Sequence, residues 1–167
     1  MIDNIHSPDN LNNFDVLVEI SLGSQIKYEF NEELGRIRVD GMLFDGVKFP
    51  FDYGSILGTK EEDGDPLDVM IYSTYSFPPG VLVPCRIIGA MDIIDRGLRD
   101  TKLLGIPVHD RLNDHLQDIS DFPTEKIDEY KIFYERDLAK QRNKIMEFKG
   151  LLSKEQALAL IESSRNK

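Results

Sequence analysis

From Val16 to Val108, glycines and prolines cut the chain into short apolar or alternating runs, and only after Pro123 does the apolar spacing become helical. Val16-Leu-Val-Glu-Ile20 is the first β-type run. In Ile26-Lys-Tyr-Glu-Phe30, alternation puts Ile26, Tyr28 and Phe30 on one face and Lys27 and Glu29 on the other. Asn31-Glu-Glu-Leu-Gly35 turns the chain into Arg36-Ile-Arg-Val-Asp40, so residues 26–40 read as a hairpin. Further strands are predicted at 68–72, 81–91 and 101–108. Residues 1–14 read as an irregular or weakly helical lead-in.

After Pro123, the residues Ile127, Tyr130, Phe133 or Tyr134, and Leu138 recur at helical spacing. Ser153-Lys-Glu-Gln156 fits a capping box ahead of Ala157-Leu-Ala-Leu-Ile161. Closely spaced strands followed by two helices predict an α+β fold: a small antiparallel barrel flanked by C-terminal helices. The helix pair also reads simply as cover for the core. No repeat, low-complexity tract or linker divides the chain, so residues 1–167 are expected to form a single domain.

The 20 Lys and Arg against 30 Asp and Glu leave a net charge of −10. That balance argues against nucleic acid as a partner, because phosphate backbones are held by clustered Lys and Arg. It leaves a solvated acidic surface, or carboxylates gathered for metal ions. Cys85, the one cysteine, lies in an apolar run and has no partner for an intrachain disulfide, which fits a reducing compartment. The first residues lack a basic segment followed by an apolar one, and no apolar run approaches the ~20 residues of a membrane span. A cytoplasmic protein without membrane contact is expected.

The densest acidic stretch is Glu61-Glu-Asp-Gly-Asp-Pro-Leu-Asp68, just ahead of a predicted strand. Asp63, Asp65 and Asp68 crowd around a glycine that permits a sharp turn and a proline that fixes φ. Carboxylates this close repel unless a cation sits among them, and hard oxygen ligands suit Mg²⁺ or Mn²⁺. An EF-hand begun at Asp63 fails, because its required Asp/Asn, Gly and Glu positions fall on Leu67, Asp68 and Thr74. In a second cluster, Asp92, Asp95 and Asp100 are interleaved with Arg96, Arg99 and Lys102. Acids for metals and cations for phosphate oxygens are what a metal–phosphate site requires. An acidic turn and a salt-bridged loop are the other readings of the two stretches. There is no Walker A motif, His-Glu-x-x-His or nucleophile elbow, and His6, His109 and His115 are dispersed.

Together these residues resemble the soluble family I inorganic pyrophosphatases. The resemblance rests on Asp63-Gly-Asp-Pro-Leu-Asp-Val69, with Val18-Glu-Ile20, Ile26-Lys-Tyr-Glu29, Pro50-x-Asp-Tyr-Gly54 and Asp95-x4-Asp-x-Lys102 in the family's order. It covers residues 15–110 well and the C-terminal third loosely. It implies an OB-like barrel and Mg²⁺-dependent hydrolysis of pyrophosphate to two phosphates by direct attack of a metal-bound water. Carried over by position, Asp63, Asp68 and Asp100 would hold the first Mg²⁺, with Asp68 bridging to a second. Asp95 and Asp100 would anchor a further ion arriving with substrate, and Glu19 and Glu29 would support the site. Asp65 would orient and deprotonate the water, while Lys27, Tyr53 and Lys102 would bind phosphate oxygens. Bacterial members are commonly hexamers, so the resemblance implies a homo-oligomer.

The departures lie on the phosphate side. Gly41 stands where the family usually carries Arg, Phe49 where it has Tyr, Asp52 where it has Asn and Arg96 where it has Glu. In Ile132-Phe-Tyr-Glu-Arg-Asp-Leu138, either Tyr134 or Glu135 takes the place of a substrate-binding Tyr, with Arg136 replacing Lys. Losing one charge-assisted hydrogen bond, about 1.5–3 kcal/mol, costs roughly ten- to a hundredfold in transition-state binding. Arg38, Lys48, Arg96 and Arg136 are the candidates to make it up, and restoring Arg at 41 with Tyr at 49 is expected to raise efficiency. The alternative is a weakened relative that binds metal and phosphate or nucleotide, or cleaves another diphosphate.

Overall fold

The computed structural model describes residues 6–7 and 10–165. Strands β1 (His6–Ser7), β2 (Asn10–Ile20), β3 (Ile26–Asn31), β4 (Arg36–Met42), β5 (Asp52–Ile56) and β6 (Leu67–Ile71) come first. They are followed by β7 (Leu82–Asp95), β8 (Leu98–Arg99) and β9 (Lys102–Pro107), then α1 (Thr124–Ile132), α2 (Ala139–Gln141), β10 (Met146–Leu152) and α3 (Lys154–Ser163). Of the expected lead-in, residues 1–5, 8 and 9 lie outside the described residues, and the remainder is strand rather than coil or helix.

The strands β2, β5, β6, β9 and β7 pair in that order, and β7 returns to β2 to close a barrel. Every pair is antiparallel except β6 with β9, so the expected small barrel forms with one parallel pair in it. A ring of five strands cannot alternate direction throughout, and one parallel pair is the least it can contain. Hairpin β3–β4 forms its own two-stranded sheet, as the alternation predicts.

Besides the two-residue strands β1 and β8, two longer strands escape the sequence pattern. All five residues of β5 are buried, so it shows no period of two. It also contains Gly54, where a Cβ would collide with the Leu17 carbonyl oxygen of β2; only a glycine lets these strands meet. The other, β10, adds to β7 at the sheet edge.

Alternate residues of the barrel enter two cores. Leu67, Val69 and Ile71 of β6 pack with Val16, Val18, Cys85 and with Ala157 and Ile161 of α3, whereas Met70 joins Phe49, Phe51, Tyr53, Tyr130 and Phe133. Helix α3 begins with the expected capping box: Ser153 Oγ accepts from Gln156 N at 3.2 Å and Gln156 Oε1 accepts from Ser153 N at 2.9 Å. Between α1 and α2 the backbone widens into a π-type segment, Phe133–Leu138. The extra residue per turn brings both Phe133 and Tyr134 inward, where a uniform helix would have favoured one of them. No helix among the described residues is long and apolar enough to cross a membrane.

Two buried aspartates stitch loops to this frame. Asp52 accepts from Leu22 N (2.6 Å), Ser76 Oγ (2.8 Å) and Phe77 N (3.2 Å), which gives its departure from Asn a structural role. Asp110 accepts from Thr74 N at 2.7 Å, Asn113 Nδ2 at 2.7 Å and Ser73 Oγ at 3.3 Å. Burial alone would raise its carboxyl, but these donors outweigh it and hold Asp110 below the usual range. Asp110→Ala should therefore cost about 2 kcal/mol in urea unfolding at neutral pH. The lowered value makes Asp110 stabilising above its unfolded-chain value of about 4, so the gap between variant and parent should close as pH falls below that point.

Candidate active site

Three local devices aim polar side chains at one end of the barrel. In the β2–β5 ladder Val18 pairs with Gly54 and Ile20 with Tyr53, so Glu19 is the extra residue of a bulge, 7% exposed between fully buried neighbours. In the hairpin, Lys27 faces Gly41 and Tyr28 faces Val39, which makes Asp40 the extra residue on β4. Bulges re-aim side chains in this way, breaking the simple inside–outside alternation. The parallel β6–β9 pair then sets Asp68 opposite Lys102 in register.

The result is a polar cavity of about 860 Å³. Glu19, Glu29, Asp63, Asp65, Asp68, Asp95 and Asp100 line it together with Lys27, Tyr53, Lys102 and Tyr134. At its centre Lys102 Nζ lies 2.8 Å from Asp68 Oδ2, 2.9 Å from Asp100 Oδ2 and 2.8 Å from Tyr53 OH. The rings of Tyr53 and Tyr134 lie 5.4 and 5.6 Å from the same ammonium. Asp95 holds Lys144 Nζ at 2.7 Å and Arg96 Nε at 3.1 Å. Asp40 holds Lys27 Nζ at 2.7 Å and Arg142 Nη2 at 2.9 Å.

Negative charge is in excess here. Burial, followed by the Asp68 carboxylate, pushes Glu19 up to about 7 despite its hydrogen bond from Ser55. Burial raises Asp63 and Asp65 too, helped by neighbouring aspartates. Asp100 is raised by burial and by Asp68, although Lys102 opposes both. Burial by itself would strip the proton from Lys102, but Asp100 and Asp68 hold it firmly protonated. Two carboxylates sharing one ammonium account for both directions. Asp95 behaves oppositely: burial is outweighed by Lys144 and Arg96, and its carboxyl falls.

Among the described residues, no three Asp, Glu, His or Cys side chains are gathered at ligand spacing. The Lys102 ammonium takes up Asp68 and Asp100, and Lys144 takes up Asp95. The donor set nevertheless fits a divalent cation. Among the described residues no His or Cys lines the cavity, so its acidic donors are hard oxygens, and they outnumber the charge available to neutralise them. The buried Tyr134 hydroxyl has no hydrogen-bond partner among the described residues, leaving a donor for a ligand.

Of the residues expected to hold metal or substrate or to activate water, Arg136 is the one not brought to the cavity. Its side chain is 73% exposed, pairs with Asp137 and lines a separate groove with Lys48. Tyr134, rather than Glu135, faces the site, because the π-type segment turns Tyr134 inward while Glu135 receives Phe148 N outside. Arg38 and Arg96 line the cavity and Lys48 does not. Sequence reasoning missed Arg142 and Lys144, which follow α2 in a stretch without any motif.

A barrel whose mouth sets hard carboxylates against lysine, arginine and tyrosine is built for a metal-complexed, multiply charged phosphate. The chain matches the inorganic pyrophosphatase family over residues 16–167 and belongs to that family. It is 36% identical over 166 residues to an inorganic pyrophosphatase of Thermoplasma volcanium, covering 98% of both chains. It is 38% identical over 138 residues to that of Geobacillus stearothermophilus, covering 81% of this chain and 84% of that one. Its fold is similar to the crystal structure of the Thermus thermophilus inorganic pyrophosphatase, with TM-score 0.87, 32% identity and coverage of 97% and 96%.

If Lys102 neutralises Asp68 and Asp100, Lys102→Met should destabilise the metal-free protein by about 3 kcal/mol. Thermal unfolding with and without excess divalent cation should show a larger stabilisation by the cation in this variant than in the parent.

Proposed function

We propose that the chain hydrolyses inorganic pyrophosphate to two phosphates with Mg²⁺, in the cavity around Lys102. The carrying observation is that acids and bases of opposite charge line the same cavity with Lys102 held between Asp68 and Asp100. Asp63, Asp68, Asp95 and Asp100 would hold the ions, with Mn²⁺ the closest substitute, and Glu19 and Glu29 would support them. When bound, Mg²⁺ neutralises the diphosphate and makes water a better nucleophile.

The chain's own groups divide the remaining work. Asp65 shares a tight turn with Asp63, whose Oδ1 accepts the Asp65 backbone N–H at 3.0 Å, and it takes the proton of the attacking water. The new bond joins that water's oxygen to one phosphorus as the bridging P–O bond breaks, and the departing phosphate carries away the electron pair. Lys27 and Lys102 hold phosphate oxygens. Tyr53 accepts from Lys102, so its own hydroxyl hydrogen is free to donate, and Tyr134 offers a second donor. Residues 1–167 form one domain in this reading. Cytoplasmic residence and a homo-oligomer, a hexamer by family resemblance, complete it.

Phosphate release from pyrophosphate should require Mg²⁺, vanish on chelation and return on addition of the ion. Asp65→Asn should lower kcat by about 10²- to 10⁴-fold, the usual contribution of a positioned base. Equal rates for parent and variant would overturn the role of Asp65. Phosphate or nucleotide binding without turnover would favour a binding protein.

A further inference from the structure

The carboxylate of Asp40 is shared by two cations, Lys27 and Arg142, so this group of three carries one positive charge in excess. Arg142 reaches this rim from the C-terminal segment, 102 residues along the chain from its partner. A clasp brings it there: Gln141 Nε2 donates to the Phe44 carbonyl at 3.1 Å, and Gln141 Oε1 accepts from Phe44 N at 2.8 Å. The room it occupies is the side chain that Gly41 lacks, because a Cβ at that position would lie 2.8 Å from Arg142 Nη1.

A guanidinium has five donors in a planar fork, and here Nη2 is engaged with Asp40. Nη1 has no hydrogen-bond partner among the described residues, while the side chain remains 32% exposed and lines the cavity. The glycine leaves room for the guanidinium, and the cavity beside it leaves the free edge of that guanidinium open to a ligand. We propose that Arg142 is a substrate-binding residue which holds a phosphate oxygen in the cavity that the aspartates line, and that Gly41 is the slot that admits its guanidinium. This rests on the pyrophosphatase reading and extends it to a residue on the C-terminal segment. It also reverses the expectation for Arg at position 41, since a side chain there would displace the guanidinium already present.

The test measures inorganic phosphate binding to the Mg²⁺-loaded protein by calorimetry, alongside kcat and KM for pyrophosphate. Arg142→Ala should weaken phosphate binding and lower kcat/KM by roughly 10- to 100-fold, and Arg142→Lys should recover part of each. Gly41→Ala keeps the arginine but pushes it aside, so it should weaken phosphate binding in the same direction whether or not Arg142→Ala folds well. Lys149→Ala, which removes an equal charge outside the cavity, should change neither quantity. Phosphate affinity unchanged in both Arg142→Ala and Gly41→Ala would overturn the proposal. Phosphate binding that responds to Arg142, in a parent chain that does not turn over pyrophosphate, would overturn the hydrolase reading and uphold this contact.

Discussion

Lys102 held between Asp68 and Asp100 is the interaction on which the site's architecture depends. Two carboxylates and one ammonium, largely out of water, carry net negative charge, which either a proton or a further cation can relieve. Asp63 and Asp65 add to the imbalance from an exposed turn, Glu19 from a buried bulge. The carboxylates around Lys102 concentrate negative charge that a divalent ion can invert. Once inverted, it attracts the anion that the bare cluster would repel.

A further wall of the cavity carries most of its cations. Lys27, Arg142, Lys144 and Arg96 each meet a carboxylate at the rim, and Asp95 and Asp40 each hold two of them. This wall is assembled from the hairpin, the end of β7 and the segment after α2, and the Gln141–Phe44 clasp ties two of these parts together. Beneath it, the aromatic cluster provides rigidity. Phe49, Phe51, Tyr130 and Phe133 meet at ring separations of 4.9–6.3 Å and seat Tyr53 and Tyr134 with their hydroxyl ends at the cavity. Core packing thus becomes site geometry: tyrosines fixed on such a base lose little further freedom when they bind.

Much of the fold was legible because local physics wrote it into the chain. Alternation in Ile26–Phe30 and Arg36–Asp40 marked the hairpin, and Ser153 with Gln156 marked the start of α3. Strand β5 left no such trace, since both its faces are buried and its Gly54 is dictated by a neighbour distant in sequence. The acidic turn stood out in the sequence because Asp63, Asp65 and Asp68 lie within a few residues of one another, and all three line the cavity. Arg142 and Lys144 did not, since the carboxylates they meet are 102 and 49 residues away. Arg136 misled for a related reason: proximity to Tyr134 in sequence says little about direction where a helix changes its pitch.

By itself the sequence determined the strand-rich first part and the helices after Pro123, the acidic character of the site and the family to which its motifs belong. Each of these is carried by residues near one another along the chain. The tertiary structure decided which cations meet which acids, through a parallel strand pair, two bulges and a π-type segment. Those choices depend on the closure of five strands and on contacts between distant segments, and no local pattern of residues encodes them.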